Sequence, residues 1–178
     1  MTRLPDGQWL TSLLCPYNQT VLFKLYLGDK VGMLGVSTFM TDGQDRLTIY
    51  PSFYPSPNPV FNTQPVHSSI LGNERKLSIS LPPSYYENTF KRYDLLLMQD
   101  GQNLFNVSDS EYGQIWDIKP TLDELMLSGS IRELIVVGIW NTKQRCDEYT
   151  NTYDPELGCG GKADLYLRFI REEMVPWV

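Results

Sequence analysis

The sequence predicts an α/β protein, a parallel sheet with flanking helices, preceded by a small β-sandwich-like segment. From Arg75 onward the pattern reads strand, strand, helix, strand, helix, the rhythm of a parallel sheet with crossover helices. Tyr93–Met98 and Leu134–Ile139 are continuously apolar, as strands covered on both faces require. Residues 1–50 instead show short alternating stretches, and a proline-rich stretch over 51–66 reads as a linker before residues 67–178.

Thr20 to Leu27 places Val21, Phe23, Leu25 and Leu27 on one face and Lys24 on the other, which predicts a half-buried strand. Val31–Val36 and Arg46–Tyr50 read similarly. Five prolines between Pro51 and Pro65 restrict φ and remove ladder donors. In the next strand, Arg75–Leu81, Leu77, Ile79 and Leu81 alternate with Lys76, Ser78 and Ser80, and Pro82-Pro83 ends it. Ile118, Leu122, Leu125 and Met126 recur on one helical face. Thr121–Glu124 has capping-box spacing, with Asp117 or Lys119 as rival starts because of Pro120, and Gly129 closes the helix. A last helix spans about Lys162 to Met174, with Ala163, Tyr166, Leu167, Ile170 and Met174 on its stripe and Pro176 limiting it.

Composition excludes several classes of function. A net charge of -6 and a pI near 4.7 argue against sequence-independent nucleic-acid binding, which needs Lys and Arg to displace counterions. No apolar run is long enough to span a bilayer, and Asp6, Gly7 and Gln8 interrupt the N-terminal stretch where a signal peptide needs its apolar region, so the expected location is cytoplasmic. Cys15, Cys146 and Cys159 have no metal or redox spacing and read as buried free thiols ahead of a Cys146–Cys159 bridge. Asn18-Gln19-Thr20 and Asn106-Val107-Ser108 match the glycosylation sequon, which carries no weight without a secretory route. No His and Cys constellation suits a metal, and no cofactor is implied.

In such sheets ligands bind beyond the carboxyl ends of the strands, here Met98–Gln102 and Trp140–Thr142. The turn Asp100-Gly101-Gln102-Asn103 follows an apolar strand. Gly101 permits a tight bend there, and Gln102 can aim its N–H across the strand end at a developing oxyanion. An ordinary strand-to-loop turn capped by Asp100 is the competing reading.

From Leu71 the chain resembles the esterase family of α/β-hydrolases that includes esterase D-like and enterochelin esterase-like enzymes and the mycolyltransferases. The matching stretches are LGNERKLSISLPPSYYEN, LLLMQDGQNLF, the pair Trp116-Asp117, LIVVGIWNTKQRCDEYT and GGKADLYLRFIREEMVP. The resemblance implies that the Gln102 N–H is an oxyanion donor, that Asp100 and Gly101 lie at the substrate pocket, and that Arg145 and Glu148 form an ion pair in its wall. A structural salt bridge is an equal alternative for those two. Many relatives carry His where this chain has Gln99.

The resemblance covers the first half of that family's catalytic domain. These residues contain no G-x-S-x-G nucleophile elbow, so the expectation is the N-terminal portion of a serine carboxylic-ester hydrolase, inactive alone. His67 precedes the αβ strands, whereas α/β-hydrolases place the base histidine last, so it reads as a surface or strand-edge residue. The stretch Gly158–Lys162 lacks the first glycine and the Ser or Thr of a phosphate loop, and Asp123-Glu124 and Glu172-Glu173 read as solvated helix faces.

The segment from about Gln8 to Pro65 resembles, less closely, a starch-binding CBM20-type module, through QTVLFKLYLGDKVGMLG and IYPSFYP. That resemblance implies sugar stacking on Trp9, Tyr17 and Tyr26, against the alternative that these rings fill a small core. The expected partner is a small-molecule ester or a carbohydrate, with neither nucleic acid nor membrane. The rival function is a non-enzymatic carbohydrate-binding protein that uses the αβ portion as scaffold.

Overall fold

The computed structural model describes residues 1–32, 38–41, 43, 46–53 and 60–178. The chain divides into two units, Met1–Pro55 and Ser56–Val178.

Among its described residues the first unit carries three separate antiparallel ladders. They are β1 (Thr2–Arg3) with β2 (Trp9–Leu10), β3 (Thr20–Leu22) with β6 (Thr38–Met40), and β4 (Tyr26–Leu27) with β5 (Lys30–Val31). The expected strand Thr20–Leu27 is thus broken into two pieces with different partners, and Arg46–Tyr50 forms no strand. Most of Val31–Val36 and the end of IYPSFYP lie outside the described residues. Ser52 is the one described residue of this unit that is buried. Without two packed sheets and a shared apolar core, these ladders do not make the expected sandwich among the described residues.

The second unit is built on one four-stranded sheet ordered β11-β12-β10-β7, from β7 (Val60–Asn62), β10 (Leu77–Ser80), β11 (Asp94–Gln99) and β12 (Leu134–Ile139). The end of the proline-rich stretch therefore enters the sheet as its β7 edge, where few ladder donors are needed. A separate hairpin pairs β8 (Val66–Ser68) with β9 (Asn73–Arg75).

The sheet is mixed rather than parallel. β11 and β12 run parallel, but β10 is antiparallel to β12 and to β7. Connectivity explains the difference. Residues 81–93 hold no helix to make a crossover, whereas α1 (Ile118–Leu127) joins β11 to β12. α1 begins after Asp117, at one of the rival starts, and Gly129 follows it at φ 73°.

In-register pairs Leu77–Ile139 and Ile79–Val137 form one apolar face, which the C-terminal helix covers with Tyr166, Phe169 and Met174. That helix runs as α3 (Ala163–Phe169), a wider π-helical turn at Ile170–Met174, and α4 (Val175–Trp177). Its buried stripe departs from the expected one, since Phe169 is fully buried while Leu167 is exposed. A π turn shifts the face presented by the residues around it. Full burial of side chains such as Leu77 and Phe169 stabilises the fold by roughly 1.5–3 kcal/mol each.

A buried ion pair beneath this layer was not legible in the sequence. Arg75, fully buried at the end of β9, binds Glu148 of α2 (Arg145–Tyr149) and the Trp140 carbonyl at 3.2 Å, under the rings of Tyr166 and Phe169. Cys146 and Cys159 form a disulfide with Cα atoms 5.8 Å apart, which corrects the expectation of free thiols; Cys15 is free. The bridge fastens α2 to β14 (Cys159–Gly160), the partner of β13 (Tyr153–Asp154).

Candidate active site

The turn after β11 is made by an unusual backbone rather than by a glycine bend. Asp100 itself adopts φ 54°, ψ 44°, a left-handed conformation that Asp tolerates better than most residues, and Gly101–Asn103 then form one short 3-10 turn. Gly101 serves a different purpose from the expected one. A Cβ there would collide with the Gly138 carbonyl and stand 2.8 Å from the Ile139 nitrogen. Two glycines thus let the turn lie directly on β12, with Leu104 packed over Gly138.

Within the turn, Asn103 N–H donates to the Asp100 carbonyl at 2.9 Å and Leu104 N–H to that of Gly101 at 3.3 Å. The N–H of Gln102, one of the orphan donors at the start of a helical turn, has no acceptor among the described residues. The Gln102 side chain is buried, and its Oε1 accepts the Asn141 N–H at 3.2 Å, tying the turn to the end of β12. Asn103 Oδ1 accepts from Ser110 Oγ and the Glu111 N–H, and the Asn103 carbonyl accepts the Trp116 N–H at 2.8 Å, so the following loop is fixed to the same turn.

Asp100 is buried and held by three donors: Arg145 Nε at 2.9 Å and Asn141 Nδ2 at 2.8 Å on Oδ1, and Arg145 Nη2 at 2.8 Å on Oδ2. The Arg145 hydrogen bond holds its carboxyl below the ordinary range, against burial, which acts the other way, and with Asn141 assisting. Arg145 also stacks on Tyr149, its guanidinium carbon 4.8 Å from the ring centroid. Burial, with the Asp100 charge adding to it, raises the pKa of Tyr149.

Arg145 and Glu148 do not pair with each other, which corrects the expected pocket-wall ion pair. Arg145 is half-exposed and faces Asp100, while Glu148 is buried against Arg75. The buried Arg75 guanidinium needs a counterion more than the solvated Arg145 does. Sequence reasoning missed Tyr149, and it placed Asn141 at the ligand-binding strand end without a role. The position of Asn141 at the carboxyl end of β12 was the available signal for it, and Arg75 shares the odd-numbered register of Leu77, Ile79 and Leu81, the signal that pointed to its burial.

His67 is exposed on β8, across the ladder from Glu74. In the first unit Trp9, Tyr17 and Tyr26 are exposed at 65%, 76% and 63%, so they fill no core. Trp9 belongs to β2 and Tyr26 to β4, two unconnected ladders, and Tyr17 lies in a loop. A groove of about 470 Å³ lies over the disulfide, lined by Thr150, Tyr153 and Leu157, away from the Gln102 turn. Among the described residues, no group of His, Cys, Asp and Glu is arranged to hold a metal ion, and no helix is long and apolar enough to cross a membrane.

A buried turn at the carboxyl end of a parallel strand pair, with a backbone N–H left without an acceptor among the described residues, is where an acyl-transfer enzyme of α/β type places its oxyanion donor. The family model described as "Putative esterase" matches residues 68–178, more than half of the chain. The chain belongs to this esterase family.

Among solved structures, the esterase unit is similar to an IroE-like serine hydrolase from Shewanella oneidensis, with TM-score 0.54 and 24% identity over 67% of this chain and 38% of that one. This likeness places the fold as α/β-hydrolase-type. A ferulic acid esterase matches with TM-score 0.46 and 24% identity, over 67% of this chain and 43% of its own length. The BES protein from Bacillus cereus matches with TM-score 0.47 and 17% identity, over 76% and 48%. The esterase chain thus spans less than half the length of each of these structures. No curated protein sequence matches it.

Proposed function

We propose that residues 68–178 supply the oxyanion half of a serine carboxylic-ester hydrolase site, in which the Gln102 N–H is one of the donors to the tetrahedral intermediate. The observation that carries this reading is the Gln102 N–H itself, left without an acceptor on a turn that Asn141, Asn103 and the Gly101–Gly138 contact hold rigid. Donors fixed before reaction need no reorganisation when charge develops, so each contributes about 10²–10³ in kcat. Asp100, Gly101 and Arg145 would border the substrate, with the Arg145–Asp100 pair keeping the rim of the site in place. Glu148 would act only through Arg75, below the site.

The nucleophile must come from a segment carrying G-x-S-x-G, which these 178 residues do not contain. The chain alone is therefore expected to be inactive towards a p-nitrophenyl ester and unlabelled by a serine-directed fluorophosphonate. Serine-type turnover abolished by that reagent would overturn the proposal. In a longer form carrying a strand and the serine elbow, Gly101→Val pushes the turn off β12 and should lower kcat by about 10²-fold or more with KM little changed.

A second reading rests on the exposure of Trp9, Tyr17 and Tyr26, which leaves all three ring faces open to stacking on a sugar. Titration with a cyclic maltooligosaccharide tests it. Binding that disappears in Trp9→Ala supports a carbohydrate-binding first unit, and no binding removes that reading.

A further inference from the structure

The Cys146–Cys159 bridge changes the meaning of two motifs that the esterase reading leaves unused. α2 and the β13–β14 hairpin are already joined without it: Asp147 Oδ1 accepts the Gly160 N–H at 2.8 Å, Asp147 Oδ2 binds Lys162 Nζ at 2.6 Å, and the Asp147 carbonyl accepts the Lys162 N–H at 2.8 Å. The fold therefore presents the two cysteines with their Cα atoms 5.8 Å apart, a separation at which a disulfide forms and persists in an oxidising compartment. Such bonds belong to secreted and lumenal proteins. The sequons carry weight only with a secretory route, and a bonded Cys146–Cys159 pair fits such a route.

Both sequons lie on accessible backbone. Asn18 is exposed in a turn at φ 57°, its backbone N–H is bonded to the Thr41 carbonyl, and its side-chain amide donates to no described residue. Thr20, two residues on, is exposed. In the esterase unit, Asn106, Val107 and Ser108 are all exposed on the loop after the Gln102 turn. The Asn106 amide makes one bond, Nδ2 to Asp109 Oδ2 at 3.1 Å, and that carboxylate oxygen is also held by Asn62 Nδ2 at 2.9 Å. Asp109 thus keeps a partner if Asn106 gives up its proton. The middle residues, Gln19 and Val107, satisfy the requirement for a residue other than proline.

We infer that Asn18 and Asn106 are acceptors of N-linked oligosaccharide when the chain passes through an oxidising, lumenal compartment. The donor is an N-acetylglucosamine-headed oligosaccharide on a polyprenyl pyrophosphate. The asparagine amide nitrogen forms a bond to the anomeric carbon, the bond from that carbon to the pyrophosphate oxygen breaks, the polyprenyl pyrophosphate leaves with the electron pair, and the displaced amide proton passes to a base of the transferase. No atom changes oxidation state overall. On Asn106 the glycan would stand in solvent beside the site loop, and on Asn18 it would stand on the first unit.

The test is to express the whole chain in eukaryotic cells behind an endoplasmic-reticulum leader, with Asn18→Gln and Asn106→Gln variants, and to measure intact mass before and after peptide-N-glycosidase together with iodoacetamide-reactive thiols under denaturing, non-reducing conditions. The expected result is two glycans, one lost in each variant, with enzymatic release converting each site to Asp. The expected thiol count is one, Cys15. Because transfer precedes folding, a variant that folds poorly still reports its sites. Both sequons unmodified, or three reactive thiols in the lumen-routed chain, would overturn the inference, and occupancy of a single site would overturn the assignment of the other.

Discussion

Arg145 grips Asp100 with two parallel hydrogen bonds, Nε to Oδ1 at 2.9 Å and Nη2 to Oδ2 at 2.8 Å, across the gap between α2 and the turn after β11. This bidentate pair links the element carrying the disulfide to the element carrying the Gln102 N–H. Because the Asp100 pKa is depressed in the folded state, the pair's stabilisation is complete above the ordinary value of 3.8 and is lost as pH falls through the lower folded value. Arg145→Gln should therefore flatten the acid limb of the stability curve below about pH 4 and bring the Asp100 carboxyl back towards its ordinary titration, followed by carboxyl NMR. At neutral pH the loss should be about 1–2 kcal/mol, discounted because Arg145 is half-exposed. An unchanged Asp100 titration would show that Arg145 is not its controlling partner.

The Arg75–Glu148 pair differs from Asp100–Arg145 because both side chains are buried. Glu148→Gln leaves the Arg75 guanidinium without a counterion beneath Tyr166 and Phe169, at an expected loss of about 3–5 kcal/mol. The double variant Arg75→Met/Glu148→Leu removes both charges and should recover most of that loss. Urea unfolding of the wild type and these two variants checks this, and a double variant no more stable than Glu148→Gln would contradict the buried-charge account.

Gly101 and Gly138 should be intolerant of even one methyl group. In Gly101→Ala the new Cβ meets the Gly138 backbone, which cannot rotate away as a flexible side chain could. Overpacking of this kind costs about 1–3 kcal/mol or more. Thermal melts of Gly101→Ala and Gly138→Ala should both fall, whereas Gly113→Ala, whose Cβ meets nothing within 4 Å, should lose less despite its φ of 68°. Equal losses at the three positions would mean that backbone conformation, not close approach, sets the requirement.

The sequence was most legible where one physical demand dominates. Leu134–Ile139 is a strand to the residue because a run without polar breaks must be buried on both faces. α1 could be read from its stripe, while its start stayed open between the Thr121 capping box and Asp117 or Lys119, and the structure takes Asp117. Strand direction was not legible, because alternation fixes which face a residue occupies and says nothing of which neighbour the strand pairs with. The turn was found by its place after β11, but the assignment of the bend to Gly101 missed that Asp100 takes the left-handed conformation. Glu148 carries the same charge whether it lines a pocket or lies under it. Only the position of Arg75, 73 residues away in sequence, decides between the two.

Strand order sets the vulnerable edge of the esterase unit: β12 is interior and β11 takes the edge position. The outer backbone groups of Asp94–Gln99 have no ladder partner among the described residues, and Leu95 is exposed at 37%. Beside it lies a groove of about 500 Å³ lined by Tyr85, Tyr86, Tyr93, Ile135 and Val175 together with Lys91 and Arg92. An open strand whose outer backbone groups are unpaired is a template for intermolecular pairing. The isolated chain should accordingly self-associate with rising concentration in light scattering. Leu95→Lys places a charge on that edge and should reduce the association without lowering the melting temperature by more than a few degrees. A wild-type chain that stays monodisperse across the concentration range, or a Leu95→Lys variant that associates equally, would remove β11 as the interacting edge.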